Sequence, residues 1–273
     1  MAVVETLSDN DFSFVQDLIY TKTGIVIADH KREMIYRRLA RRVRDLDLAE
    51  LRDYCEVLRS ASEEEMVNFV NAVTTNLTSF FRENHHFEFL RNTFFPEFIS
   101  NGHQRLRIWS SAASTGEEPY SIAMTMLEGL GEKHKTIDAK ILATDLDTQV
   151  LQTARTGIYH KDRLKDLSSA IKSKWFSKLE GDANRYSVDP QLKIPLTFNQ
   201  LNLLGSWPMK GKFDIIFCRN VLIYFDRPTQ EKLVNRFLEV LTADGILMLG
   251  HSESILKGST DFEHLGKTIY RRL

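Results

Sequence analysis

The stretch LRIWSSAASTGEEPYS, residues 106–121, sets the reading of the chain. A short apolar run of β-branched and aromatic residues meets a turn of small residues, and a helical pattern starts directly behind it. The same alternation repeats downstream. KILATD (140–145), LTFNQLN (196–202), FDIIFCRN (213–220) and GILMLG (245–250) read as strands, and KTIYRRL (267–273) reads as a last one. Helical patterns fall between them at about 117–130, 147–155 and 228–241. Apolar strands separated by helices indicate a mostly parallel sheet covered on both faces, hence an α/β fold. In such sheets ligands bind beyond the carboxyl ends of the strands.

Upstream the rhythm is purely helical. Phe12, Val15, Leu18 and Ile19 keep helical spacing, and Gly24 reads as a stop. Asp29 reads as the cap of a second helix through about Leu46, and a third runs from about Leu48 to Leu58. Ser62, with Glu64 and Glu65 in the first turn, opens a fourth that ends near Val73. These patterns divide the chain into a helical domain over 1–75 and an α/β domain over 76–273. Between them the α/β pattern blurs once: WFSKLEGDANRYSVDPQLKI (175–194) reads as two short strands around a turn at Gly181 to Asn184. It forms part of a small antiparallel β insertion over about 158–195.

Composition narrows the function classes. The 273 residues are 42% hydrophobic and 27% charged, with a formal net charge of −1, so bulk charge draws the chain to neither nucleic acid nor membrane. Cys55 and Cys218 are isolated, which suggests reduced thiols in a cytoplasmic protein and no zinc site. The start MAVVETLSDNDF lacks the pattern of a signal peptide, and no apolar run approaches the length of a membrane span.

Candidate chemistry collects at the strand ends. The turn 111–121 has one glycine and two carboxylates where a dinucleotide fingerprint would have three glycines, which argues against an NAD-dependent oxidoreductase. Glu117 and Glu118 fit a cationic or hydroxyl-rich ligand, or merely satisfy a helix N-terminus. Asp145 ends the second strand, about 28 residues past Glu117, where a carboxylate accepts ribose hydroxyls; Asp147 is the rival, better read as a helix cap. Asn202 and Leu203 suit an adenine edge and face, or a buried turn. Arg219 and Asn220 at the end of an apolar strand are costly if unpaired. TNLTSFFRE (75–83) lies at the junction of the two domains, a favoured place for a ligand.

Taken together, TNLTSFFRE, WSSAASTGEEPYS, ATDLD and FDIIFCRNVLIYFD closely resemble the chemotaxis receptor methyltransferases of the CheR type, in order and spacing over roughly 75–273. The resemblance implies a Rossmann-like methyltransferase domain behind the helical one. It implies a protein-glutamate O-methyltransferase that takes S-adenosylmethionine, yields S-adenosylhomocysteine and needs no metal. By that likeness Asn76, Thr78, Arg82, Glu117, Asp145, Asn202, Leu203, Arg219 and Asn220 are expected to hold the donor, with Arg82 and Tyr224 nearest the transferred methyl.

The second helix adds a recognition feature. Arg37, Arg38, Arg41, Arg42 and Arg44 crowd two turns, with only Glu33 and Asp45 opposing. Like charges at i, i+4 cost a helix roughly a few tenths of a kcal/mol per pair, so the row suggests a binding face. The resemblance points it at the acidic, glutamate-bearing cytoplasmic helices of a receptor rather than at nucleic acid. Some family members also grip a receptor's C-terminal peptide with a glycine-flanked loop of the β insertion. Here that turn offers only Gly181, which argues against tethering. A monomer is the expected state. Rival readings are a methyltransferase for another acceptor and a scaffold without turnover.

Overall fold

The computed structural model describes residues 7–255 and 260–273; residues 1–6, on which the reading of the N-terminus partly rests, lie outside them. Four helices come first: α1 (Asp9–Thr23), α2 (Arg32–Asp45), α3 (Leu51–Arg59) and α4 (Glu63–Val73). Their ends are chemically marked. The Ser8 hydroxyl accepts from the Asp11 amide at 3.1 Å, and the Ser62 hydroxyl accepts from that of Glu65 at 3.2 Å. Gly24 closes α1 with φ 73°, and a side chain there would run into Leu204 of the α/β domain. Phe12, Val15, Ile19, Ile35, Leu39, Tyr54 and Phe69 pack these helices into a core of their own.

Two boundaries differ from the sequence reading. Asp29 does not cap α2; it starts a 3₁₀ turn (Asp29–Lys31), and its carboxylate accepts from Gln16 Nε2 at 3.1 Å. α3 starts at Leu51 rather than Leu48, where the Asp53 carboxylate accepts from the Glu50 amide at 3.2 Å.

A junction segment leads through α5 (His85–Phe89), a π-helical stretch and α6 (Phe95–Ser100), helices that carry little sequence signal. The α/β domain then supplies β1 (Arg105–Ser110), α7 (Glu117–Leu130), β2 (Asp138–Asp145) and α8 (Thr148–Thr156). Next come β3 (Ile158–His160), α9 (Ser169–Trp175), β4 (Phe176–Leu179), β5 (Asp182–Val188) and α10 (Pro190–Lys193). The chain continues with β6 (Leu196–Gln200), β7 (Phe213–Cys218), α11 (Arg227–Val240), β8 (Leu241–Leu249), β9 (Phe262–Gly266) and β10 (Ile269–Arg272).

The main sheet has seven strands in the order β6-β2-β1-β7-β8-β10-β9. The first five are parallel, while β10 runs antiparallel to both β8 and β9. This is a Rossmann-like α/β arrangement, and the strand order reverses between β1 and β7. One face of the sheet packs on α7 and the insertion, the other on α11. The insertion holds a separate antiparallel sheet, β3-β5-β4, so it has three strands where the sequence reading has two. Its turn falls at Gly181 (φ 80°), and Asn184 lies within β5. Among the described residues, no helix is long and apolar enough to cross a membrane.

Candidate donor-binding site

A cavity of about 310 Å³ opens at the carboxyl ends of the parallel strands, beside the β1/β7 reversal. Ser111, Ala112 and Ser114 line it from the loop after β1, Asp145 and Leu146 from the end of β2. Asn202 and Leu203 follow β6, and Arg219, Asn220 and Tyr224 follow β7. The remaining wall belongs to the junction (Asn76, Leu77, Thr78, Arg82) and to the helical domain, which adds Ile25, Met34 and Arg38.

The loop that starts α7 is shaped by Gly116. Its φ of 99° suits glycine, and a Cβ there would meet the Tyr159 hydroxyl at 2.7 Å and Ala154 at 2.9 Å. The Ser114 amide donates to Asp145 Oδ2 at 2.7 Å and the Asp147 amide to Oδ1 at 3.0 Å, so the β2 carboxylate is oriented by backbone. Burial nevertheless pushes the Asp145 carboxyl up to about 6; the two amides pull the other way. Asp147 caps α8 through the Gln149 amide at 2.8 Å, the role the sequence reading gave it. It also accepts from Thr74 Oγ1 at 2.7 Å and Asn76 Nδ2 at 2.8 Å. Asn76 thus ties the junction to the start of α8 through its side-chain amide and also lines the cavity.

At the start of α7 the cavity-lining carboxylate is Glu118, not Glu117. Consecutive helical residues point about 100° apart, so only one of the two faces the ligand space. Glu117 is fully buried; Arg163 of the insertion approaches it at 2.6 Å, at an angle poor for a hydrogen bond, and Thr115 Oγ1 donates to it at 2.6 Å. Glu118 accepts from Ser110 Oγ at 2.8 Å and pairs with Arg219 Nη1 at 3.0 Å. Burial raises the Glu118 carboxyl, and Arg219 opposes the rise.

Arg219 itself is 2% exposed at the side chain and pairs with a second carboxylate, Glu83, at 3.2 Å. It also donates to the Arg82 carbonyl, while its buried Nε has no hydrogen-bond partner in the protein. Sequence reasoning missed Glu83. The signal that would have found it is the cost of burying Arg219, which demands acidic partners.

Asn202 is occupied as a turn residue: its Oδ1 accepts from the Leu204 amide and its Nδ2 donates to the Lys22 carbonyl, both at 2.9 Å. Leu203 is buried in the cavity wall beside it. Arg82 is half-buried and donates through Nη1 to the Leu77 carbonyl at 2.8 Å. Tyr224 is half-buried, and its carbonyl accepts from the Val26 amide of the helical domain at 2.9 Å.

The arginine row of α2 is divided. Arg38 is a cavity residue, donating to the Val73 carbonyl at 2.5 Å and to Thr75 Oγ1 at 2.9 Å. Arg42 pairs with Glu65 at 2.5 Å, and the buried Tyr54 hydroxyl donates to the same carboxylate at 2.6 Å. Arg37, Arg41 and Arg44 are exposed. Of the five arginines expected to form a binding face, three therefore point outward, because α2 turns Arg38 and Arg42 toward the rest of the protein.

Comparison with known proteins agrees with this architecture. A family model described as "CheR methyltransferase, SAM binding domain" matches residues 76–271, and one described as "CheR methyltransferase, all-alpha domain" matches residues 10–74. A probable chemotaxis protein methyltransferase of Rhizobium etli is 45% identical, covering 93% of this chain and 96% of that protein. Chemotaxis protein methyltransferases of Klebsiella aerogenes (44%, covering 97% and 90%) and Pseudomonas aeruginosa (43%, covering 95% and 92%) are similar over the same span.

Proposed function

The chain belongs to the CheR methyltransferase family, and from that premise we propose that it methylates glutamate side chains of chemoreceptors with S-adenosylmethionine as donor. The observation that carries this reading is a cavity whose wall holds the β2 carboxylate, Arg82 and Tyr224 together with residues of the helical domain. Its residues fit such a donor. Asp145 offers a half-buried carboxylate to ribose hydroxyls, Leu146 and Leu203 offer apolar surface to a base, and Glu118 offers a negative wall to an ammonium. Arg219 Nε has an unused donor for a carboxylate. We assign no ligand contact to Glu117, whose part is to join the α7 loop to the insertion.

When bound, S-adenosylmethionine supplies an electrophilic methyl group on a sulfonium with a good leaving group. The acceptor glutamate has a reference pKa of about 4.3 and is ionised at neutral pH, so the chain need not supply a strong base. Its task is alignment, and Arg82 performs it through charge-assisted hydrogen bonds to the acceptor carboxylate. The Tyr224 hydroxyl, from the same cavity wall, helps to position that group. Charge is neutralised along the reaction, so these contacts must orient the carboxylate without holding its ground state too tightly. The outward arginines Arg37, Arg41 and Arg44 attract the acidic receptor helices.

The test is methyl transfer from labelled donor to a receptor cytoplasmic fragment, followed by mild alkali. Label released as volatile methanol is expected, the mark of a carboxyl ester; label retained through alkali removes the glutamate assignment. Arg82→Ala is expected to lower turnover far more than donor affinity, and equal losses in both would refute its acceptor-side role.

A further inference from the structure

Around the site Phe81 (φ 52°), Glu83 (φ 55°) and Asn220 (φ 56°), like Ser114 (φ 48°) in the loop after β1, hold a backbone conformation that side-chain-bearing residues rarely adopt. Two of them flank Arg82. Such a conformation persists only where surrounding contacts over-determine it. The Phe81 amide donates to Ser121 Oγ at 2.9 Å, which fixes one side of Arg82. The other side rests on the carboxylate of Glu83.

That carboxylate reaches two loops. Its Oε1 accepts from Asn220 Nδ2 at 3.1 Å, after β7. Its Oε2 pairs with Arg219 at 3.2 Å and accepts from the His251 amide at 3.1 Å, after β8. Arg219 in turn donates to the Arg82 carbonyl, closing a ring through the residue between. There is no slack behind the ring, since a Cβ on Gly250 would stand 2.5 Å from Asn220 Nδ2. Burial works against the Glu83 charge, yet Arg219, Asn220 and the His251 amide outweigh it and hold the carboxyl below its ordinary range.

Glu83 also lies with His85 and His86 in a group whose ligand-type atoms are within 4.8 Å of one another. Arg219 already supplies the cation for that group, so the cluster reads as a brace and not as a metal site.

We propose that Glu83 is a positioning residue: it sets the path of the backbone at Arg82 and so aims the Arg82 guanidinium at the acceptor carboxylate. The inference rests on the acceptor-side role given to Arg82 above. Glu83 touches neither donor nor acceptor in this scheme, so its removal acts on turnover through geometry. A displacement of about 1 Å at a reacting group can lower a rate by roughly a hundredfold.

The experiment compares the full-length protein with Glu83→Gln, Arg82→Ala and the double variant, measuring kcat, the receptor-fragment KM and donor Kd by calorimetry. Glu83→Gln is expected to lower kcat about tenfold to a hundredfold, with donor Kd changed less than threefold and no further loss in the Arg82→Ala background. Wild-type kcat in Glu83→Gln, a loss that multiplies with that of Arg82→Ala, or a loss confined to donor Kd would each overturn the proposal. If Arg82→Ala alone leaves kcat intact while Glu83→Gln lowers it, the fault lies with the Arg82 assignment. Should Glu83→Gln not fold, Glu83→Asp carries the same test: it keeps the charge and shortens the brace, and kcat between the wild-type and Arg82→Ala values is expected. Full wild-type kcat in that variant would count against the brace.

Discussion

Arg219 and the outward arginines of α2 carry the same charge in opposite settings. Arg219 is 2% exposed at the side chain and stands between Glu83 and Glu118. Arg37 and Arg41 are about three-quarters exposed at the side chain, and their partners Glu33 and Asp45 lie on their own helix. A buried cation has paid its desolvation and must keep its partners, so it fixes geometry. An exposed one is screened and mobile, so it acts at a distance on whatever approaches. On the function proposed above, the molecule thus uses one residue type both to hold a site rigid and to draw a substrate toward it.

The contrast breaks most readily at Arg219. Arg219→Met leaves Glu83 and Glu118 as buried, unpaired acids, and the expected loss is about 3–5 kcal/mol of stability, read from denaturant midpoints. A loss under about 1 kcal/mol would mean that the two carboxylates relax into water and that the cluster holds nothing.

Arg42 is the intermediate case, on the same helix as the exposed row but 16% exposed at the side chain. Arg42→Met is expected to cost about 1.5–3 kcal/mol, because the Glu65 carboxylate loses its cation and keeps only the neutral Tyr54 hydroxyl as a close donor. The effect has a pH signature. Burial pushes the Glu65 carboxyl up, but hydrogen bonds from Arg42 and Tyr54 outweigh it and hold it low. A depressed carboxyl adds stability that is present above its unfolded pKa and is lost as pH falls through its folded one. The gap between wild type and Arg42→Met should therefore be full at neutral pH and close in acid. A gap unchanged down to pH 2 would exclude the ion pair as its cause.

Sequence periodicity could not separate Arg42 from Arg41, since both sit on the polar side of α2 and the partner Glu65 lies on another helix. The parallel strands were legible because each is a short apolar run closed by polar residues. Phe262–Gly266 was not, since the two-residue turn to the last strand is Lys267-Thr268, both at positive φ. The glycine and asparagine that usually mark such a turn are missing. At the site, Asp145 announced itself by ending a strand, whereas the choice between Glu117 and Glu118 depends on a helix rotation that one sequence does not display. Glu83 and Arg219, far apart in the chain, meet only in the fold.

Asp145 sharpens the comparison from the acidic side. Its carboxyl is raised to about 6 by burial, so the charged form is disfavoured in the free protein above that pH and relieved by protonation below it. Ribose hydroxyls would favour the charged form. Donor binding at about pH 5.5 should then release a proton, visible as a calorimetric enthalpy that varies with the buffer's ionisation heat. Affinity should fall at most about tenfold per pH unit below 6, which is about 1.4 kcal/mol. Binding without proton release at that pH would remove the ribose assignment, and Asp145→Asn should abolish the linkage.

The smallest effect is expected at Arg41. Arg41→Ala should change stability by less than about 0.5 kcal/mol, as for other exposed positions whose partner is distant. Its consequence lies in kcat/KM for an acidic receptor fragment, which should drop a few-fold at low salt and recover toward wild type near ~0.5 M salt, where charges are screened beyond a few Å. Donor affinity should not move, because Arg41 is not part of the cavity wall. If the loss persists at high salt, Arg41 makes a desolvated contact with the receptor, and the line between a fixing and an attracting arginine would have to be drawn within α2 itself.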